Sequence, residues 1–205
     1  SPVIAEAYSQ WVLEDDFRAG RPTWEVRGVK MVSRSDDYET MKLRLLNGPH
    51  SACAYLGYLS GLKTIALVMA TKEFPQFLRR MMDEEIIPGL AVSEGMDVES
   101  YKNSVLDRFA NRSLAHETRQ IAMDGSQKLP QRLLESVRSA LEKDLPLDCL
   151  ALSVAGWMRY VTGTDEDGEA IDVSDPLAAK LHEVGRAGAG DVDGLVDGYL
   201  GMEDV

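Results

Sequence analysis

The stretch "SACAYLGYLSGL" (residues 51–62) decides the fold of this chain, because every position in it is apolar or small. A helix that is apolar on all sides is surrounded by neighbouring elements. We therefore expect this segment to be the central helix of a helical domain. Gly57 and Gly61 carry no side chain, and we expect them to let another helix approach closely.

The rest of the chain predicts a multi-helical domain. Most of the sequence after residue 38 has apolar residues at helical spacing, and we expect at least seven helices. Two of the apolar stripes are Val98, Tyr101, Val105, Phe109 and Leu129, Leu133, Leu134, Val137, Leu141. Only residues 24–32, "WEVRGVKMV", alternate as a strand does, and residues 10–13 could pair with them. The predicted fold is mainly α, with a small β element near the N-terminus.

Composition restricts the class of partner. The 205 residues are 44% hydrophobic and 27% charged, with a net charge of −12. Nucleic acid and anionic membranes bind clustered Lys and Arg, so neither is an expected partner. No run approaches the ~20 apolar residues of a membrane span, and no signal peptide is visible. Cys53 and Cys149 lie among apolar neighbours, as reduced cysteines of a cytoplasmic protein do.

Three polar residues interrupt the apolar segment "MKLRLLNGPH" (residues 41–50), which leads into the central helix. On an ideal α-helix Asn47 and His50 are about 60° apart, and Lys42 is about 80° from His50. Lys42 has a long side chain that can bend toward the other two. Pro49 lacks an N–H and crowds the preceding turn, so we expect the helix to break or kink there.

This trio suits proton transfer at an alcohol or carbonyl oxygen. A desolvated lysine loses its charge easily and can act as a base, while Asn and His can donate hydrogen bonds to an oxygen that becomes negative. Glu39, three residues before Lys42, can reach the ammonium and favour its charged form. Spacing alone also allows a helix end at which Lys42 and His50 are merely exposed and Asn47 caps the break.

Two other motifs predict no site. "GRAGAGDVDG" (residues 185–194) follows no strand and is not a dinucleotide fingerprint. "GTDEDGEAIDVS" (residues 163–174) lacks the final Glu of a calcium loop and indicates a solvated turn. His116 and His182 have no second ligand at metal spacing, so we interpret both as structural or surface residues and expect no metal.

Several longer segments resemble one family. They are "YSQWVLEDDFRAGRPTWE", "YETMKLRLLNGPHSACAYLGYLSG", "RFANRSLAHETRQIAMDGSQKLPQRLL" and "LALSVAGWMRYVTG". Together they resemble the C-terminal domain of the mannitol dehydrogenase family, the polyol-specific long-chain dehydrogenases, which includes the fructuronate reductases. The resemblance implies a fold similar to the C-terminal domain of 6-phosphogluconate dehydrogenase and a metal-independent enzyme. It also implies that residues 1–205 are the substrate-binding and catalytic half, and that NAD binds to an N-terminal Rossmann domain absent from this chain.

The resemblance also implies roles for individual residues. Lys42 matches the family's general base, and Asn47 and His50 match the residues that hold and polarise the reacting oxygen. Glu39 matches a carboxylate near the lysine, and Lys128 a lysine that contacts substrate. The family usually has Ser where this chain has Pro49, so the geometry of Asn47 and His50 is the point to examine.

The substrate stays open between two branches. "QIAMDGSQKLPQR" resembles the uronate reductases, and a carboxylate substrate needs a cation, for which Arg119, Arg108 and Lys128 are candidates. We therefore favour D-mannonate/D-fructuronate oxidoreductase over a mannitol 2-dehydrogenase. Two further alternatives are a helical interaction module without chemistry and a dehydrogenase of another family with a helical C-terminal domain. The presence of Lys42 and His50 disfavours the first, and the motif spacing disfavours the second.

Overall fold

The computed structural model describes residues 8–165 and 167–203, which form a mainly helical domain with one pair of short strands, β1 (Trp11–Glu14) and β2 (Val29–Val32). The α-helices are α1 (Asp36–Lys42), α2 (Gly48–Leu59), α3 (Ile65–Met69), α4 (Glu73–Arg80), α5 (Val98–Ala110), α6 (Thr118–Ala122), α7 (Gly125–Leu129), α8 (Glu135–Glu142), α9 (Asp148–Val161), α10 (Ala178–Ala187) and α11 (Val192–Leu200). The prediction of a mainly α fold is confirmed. None of the described helices is long and apolar enough to cross a bilayer.

The central helix is α2, as its sequence predicts. It packs most extensively against α6 and α9, and its residues 51–55 are buried. A Cβ on Gly57 would lie 2.4 Å from the Cγ2 atom of Val68 in α3, so the close approach predicted at Gly57 is confirmed. The prediction for Gly61 is wrong. Its φ of +74° ends the segment in a left-handed turn, and no neighbour lies within 4 Å of a Cβ placed there.

The predicted β element exists, but only half of residues 24–32 is extended. β1 and β2 pair in parallel, from Trp11 opposite Val29 to Glu14 opposite Val32. A parallel pair needs a crossover of about a dozen residues, and the chain forms a 3-10 helix (Trp24–Arg27) within it. Gly28 ends this helix with a φ of +83°. The alternation over residues 24–27 therefore marks a helical turn rather than a strand.

Among the described residues, three π-turns interrupt the helices, and each lies beside a proline. They are Leu43–Asn47, Met81–Ile86 and Pro130–Leu134. Pro49 and Pro88 follow the first two by two residues, and the third begins at its proline. Proline removes an i→i−4 hydrogen bond and crowds the preceding turn, and a wider π-turn makes room for it. The sequence predicted a break or a kink at Pro49, and of these the break is wrong. The chain stays helical from α1 to α2, with Gly48 at φ −61° and ψ −60°.

The apolar stripes predict most of the core. Tyr101, Val105 and Phe109 of α5 are buried, as are Leu129 and Leu133. Leu141 was expected in the same stripe, but it is 65% exposed. The π-turn at Pro130–Leu134 shifts the phase of the helix, so a stripe counted at 3.6 residues per turn leaves the core before Leu141.

Buried carboxyl and tyrosyl groups join the C-terminal half to this core. Glu85 is buried and accepts hydrogen bonds from the backbone N–H groups of Cys149 and Leu150, at 2.8 and 2.7 Å. It satisfies donors that the first turn of α9 would otherwise leave without partners. Tyr199 of α11 is buried, with its ring centroid 5.5 Å from that of Trp157. The terminal helix is thus packed onto α9.

Candidate active site

The first π-turn changes how Lys42, Asn47 and His50 face one another. On an α-helix, residues five apart are about 140° apart around the axis. In the π-turn, the N–H of Gly48 donates to the carbonyl of Leu43, five residues back. One extra residue is absorbed in this turn, so the trio takes positions equivalent to i, i+4 and i+7 of an α-helix. Helical geometry then puts the three Cβ atoms along one stripe.

Exposure varies along this stripe. Lys42 is exposed, whereas Asn47 and His50 are half-buried. A desolvated lysine was expected, but Lys42 is exposed among the described residues, although its neighbour Met41 in the same helix is buried. Glu39 is also exposed, and no ion pair joins it to Lys42 among the residues that the structure describes. The Lys42 side chain is therefore open to solvent in the part of the chain that the structure describes.

His50 is held by an aromatic contact. Its ring stacks on Phe109 of α5, with centroids 4.8 Å apart and ring planes inclined by 25°, and its Nε2 atom is buried. The ring of His116 lies 5.8 Å away at 55°. Stacking on a residue of the core restricts the plane of the imidazole, so His50 presents its polar edge in a defined direction. His116 is exposed, as expected for a surface residue.

A close backbone contact fixes the end of the first π-turn. A Cβ on Gly48 would lie 2.5 Å from the carbonyl oxygen of Arg132, which belongs to the π-turn Pro130–Leu134. No backbone atom can move away as a flexible side chain can, so only glycine fits at this position. The π-turn Pro130–Leu134 is thereby packed against the first π-turn, at the residue that follows Asn47.

The three cations predicted to bind substrate each have partners within the domain. Lys128 donates to the carbonyl of Met123 at 2.6 Å, and its Nζ lies 3.4 Å from a carboxylate oxygen of Asp124. Arg119 forms an ion pair with Asp172 at 2.6 Å. Arg108 of α5 lies over the ring of Tyr8, at 4.4 Å from its centroid. Their roles toward a substrate stay predictions.

The larger described cavities lie away from the trio. One, of about 440 Å³, is lined mainly by Leu56, Phe74, Phe77 and Leu152, and another, of about 400 Å³, contains Arg119. Lys42, Asn47 and His50 line neither of them. In the part of the chain that the structure describes, no three His, Cys, Asp or Glu side chains are grouped to share a metal ion. The metal-free reaction stays a prediction.

Sequence reasoning missed Arg132, Ser51 and Phe109. Arg132 donates from Nη1 to the hydroxyl of Ser51 at 3.3 Å, and Ser51 is four residues after Asn47 on the same face of α2. The signal available in the sequence was the pair Pro49 and Pro130, each within a helical pattern. Each proline indicated a local irregularity in its helix. The two irregular turns are the segments that meet at Gly48 and Arg132.

Comparison with known proteins agrees with this architecture. The family profile "Mannitol dehydrogenase C-terminal domain" matches residues 35–203. The chain is 50% identical to the uncharacterized oxidoreductase YeiQ and 48% identical to D-mannonate oxidoreductase, both of Escherichia coli K12, with 89% of this chain and 37% of each relative covered. It is 44% identical to mannitol dehydrogenase DSF1 of Saccharomyces cerevisiae, with 96% of this chain and 39% of that protein covered.

Solved structures give the same result. The ternary complex of Pseudomonas fluorescens mannitol 2-dehydrogenase with NAD and D-mannitol superposes with a TM-score of 0.84 at 34% identity, over 97% of this chain and 39% of that one. The chain thus spans less than two-fifths of the length of these relatives. Its helical architecture, the profile over residues 35–203 and the level of identity lead to one conclusion: the chain belongs to the mannitol dehydrogenase family and corresponds to its C-terminal domain.

Proposed function

We propose that this chain is the substrate-binding and catalytic half of an NAD(H)-dependent secondary-alcohol dehydrogenase that interconverts D-mannonate and D-fructuronate. The first π-turn carries the proposal, because it puts a lysine, an asparagine amide and an imidazole along one helical stripe. This combination supplies a base and two donors to a single oxygen. An interaction module has no need of such an arrangement.

Each member of the trio then has one task. During oxidation, Lys42 in its neutral form accepts the proton of the substrate hydroxyl, and the oxygen becomes the carbonyl oxygen of the ketone. During reduction, the ammonium of Lys42 returns that proton. The amide of Asn47 and an N–H of His50 donate hydrogen bonds to the oxygen while it carries negative charge. Phe109 keeps the ring of His50 in place for this contact.

The cofactor is assigned to the part of the enzyme that precedes this domain. The described residues contain two four-residue strands and no glycine-rich turn between a strand and a helix, which a dinucleotide site of the Rossmann type needs. NAD supplies the acceptor of the hydride when it is bound there. The same partner would cover Lys42 and remove water from it, since ligand sites commonly lie between domains.

Two observations bear on the substrate. Identity to the E. coli D-mannonate oxidoreductase is 48%, against 44% to the yeast mannitol dehydrogenase and 34% to the bacterial mannitol 2-dehydrogenase of known structure. These values support the mannonate branch, while the close structural match keeps mannitol as the second candidate. Both substrates place a secondary alcohol at the same proposed base.

Replacement of Lys42 tests the mechanism in the enzyme that includes the cofactor-binding half. We expect Lys42→Ala to lower kcat about 10²- to 10⁴-fold, as loss of a general base does, without changing the KM for NADH. Lys42→Arg should be nearly as slow in oxidation, because a guanidinium keeps its proton. Lys72→Ala, on an exposed lysine, is the control. Turnover within threefold of wild type in Lys42→Ala would contradict the mechanism.

A substrate panel tests the branch. Initial rates with D-mannonate, D-altronate and D-mannitol, each with NAD, should give the highest kcat/KM for D-mannonate. A higher value for D-mannitol would assign the protein to the second candidate function. Absence of oxidation with all three would contradict the proposed activity as a whole.

A further inference from the structure

Arg132 is a half-buried cation for which the described residues provide no counter-ion. Its Nη1 donates to the neutral hydroxyl of Ser51 at 3.3 Å, and its Nε is buried without a hydrogen-bond partner. No carboxylate lies within 4 Å of it among the residues described. Burial lowers the pKa of its guanidinium, although arginine remains charged in proteins.

Such an arrangement is costly for the domain alone. A buried charge without a partner carries a desolvation penalty that hydrogen bonds to neutral groups offset only in part. The chain has 34 acidic residues against 22 basic ones, so carboxylates are plentiful, and none is used here. Arg119, by contrast, pairs with Asp172 on the exposed surface.

The position of Arg132 relates it to the reacting groups. Its backbone carbonyl abuts Gly48, next to Asn47, and its side chain reaches Ser51, next to His50. Arg132 also follows Lys128 by four residues. The guanidinium therefore lies beside the stripe that is proposed to hold the reacting oxygen, with buried N–H capacity still available.

We propose that Arg132 is the specificity residue that receives the carboxylate of a sugar-acid substrate, which supplies the counter-ion that the domain lacks. This inference rests on the proposed function and names the group that distinguishes a hexonate from a hexitol. A planar guanidinium matches a carboxylate in two parallel hydrogen bonds. Arg119 and Lys128 already lie beside carboxylates of the domain, Asp172 and Asp124, whereas Arg132 has only a neutral hydroxyl as its partner.

A comparison of D-mannonate with D-mannitol tests the role of Arg132 in the enzyme that includes its cofactor-binding half. D-Mannonate and D-mannitol differ in the group at one end of the chain. We expect Arg132→Met to lower kcat/KM for D-mannonate by about 100-fold or more and that for D-mannitol by less than about fivefold. Arg138→Met, at an exposed arginine that pairs with Glu135 within α8, should change neither. Equal losses for both substrates, or a carboxylate-specific loss in Arg119→Met instead, would overturn the proposal.

Thermal unfolding separates this role from a structural one. Without substrate, Arg132→Met should keep or raise the Tm, because an apolar side chain replaces an unpaired buried charge. Addition of D-mannonate should raise the Tm of the wild type and not that of the variant. A Tm lowered by Arg132→Met with an unchanged response to D-mannonate would show that the arginine only supports the fold.

Direct binding separates failure of this inference from failure of the proposed function. Calorimetric titration with D-mannonate and D-mannitol needs no turnover. An enzyme that oxidises neither sugar, yet binds D-mannonate through Arg132, supports the inference and contradicts the proposed activity. Equal affinity for the two ligands, or a raised KM for NAD as the only effect of Arg132→Met, overturns the inference whatever the turnover.

Discussion

At the scale of single residues, Gly48 has no side chain, yet it determines how closely two segments of the candidate active site can pack. It separates Asn47 from the helix that includes His50, and it touches the carbonyl of Arg132 from the opposite π-turn. A side chain here would push two backbones apart. The orientation of Asn47 would change with them, because both residues belong to one continuous helical segment.

Substitution of Gly48 tests this point. Gly48→Ala should destabilise the domain by about 1–3 kcal/mol through overpacking, measured by urea unfolding, and should lower kcat as well. Gly89→Ala is the matched control. Its new Cβ would meet the Oγ of Ser139 at 2.6 Å, and a small side chain can rotate away, so the cost should be under about 1 kcal/mol. Equal stability of the two variants would show that the backbone contact at Gly48 is not restrictive.

At the scale of elements, the sequence predicts the helices and strands whose apolar residues recur at a regular spacing. The central helix, the stripe of α5 and the small β element follow from residue patterns. The site residues Lys42, Asn47 and His50 were singled out as polar residues in an apolar segment, and a resemblance implied their individual roles, while ideal helical spacing left Lys42 about 80° from His50. The alignment depends on a π-turn, and hydrogen bonds five residues apart leave no periodic signal over so short a segment. Arg132 was missed because its environment arises from a contact between distant segments.

The crossover between β1 and β2 gives a prediction at this scale. Arg21 hydrogen-bonds Asp15 at 2.6 Å and Glu25 at 2.7 Å, and this contact lowers the pKa of both carboxyl groups. In the unfolded chain the pKa values of these carboxyl groups are about 4. Their stabilising contribution is therefore present above that pH and is lost as the pH falls through the lower folded values.

Urea unfolding of Arg21→Gln measures this contribution. The variant should be less stable than wild type at pH 6, and the difference should shrink as the pH falls toward 2. Arg34→Gln is the control, since Arg34 and Asp36 are both about two-thirds exposed and such pairs contribute little. A difference between Arg21→Gln and wild type that stays constant over this range would contradict the assigned cause.

At the scale of the whole molecule, the described residues cover the proposed substrate site on one side only. Lys42 is exposed, the larger cavities lie elsewhere, and aromatic side chains of the N-terminal segment face solvent, among them Trp11, which is 57% exposed. Leu43 and Leu46, in the π-turn beside Lys42, are half-buried. The exposed groups are those that a preceding domain could cover.

Cofactor binding tests whether the nucleotide site lies outside the described residues. Titration of the 205-residue chain with NADH should show no saturable heat, because its described residues form no dinucleotide site, whereas the enzyme with its cofactor-binding half should bind NADH. Circular dichroism of the chain would confirm that it is helical during the titration. Saturable binding of NADH to the chain alone would place a nucleotide site within these residues.

The π-turn at Leu43–Asn47 also has an evolutionary consequence. A π-turn holds one residue more than an α-helical turn, and a single inserted codon in an ancestral helix would create it. Loss of one codon between Lys42 and Asn47 would return the turn to α-helical hydrogen bonding, with the three site residues still at i, i+4 and i+7. A second inserted codon that no further π-turn absorbed would instead rotate the remainder of the helix by about 100° and carry the imidazole away from the amine.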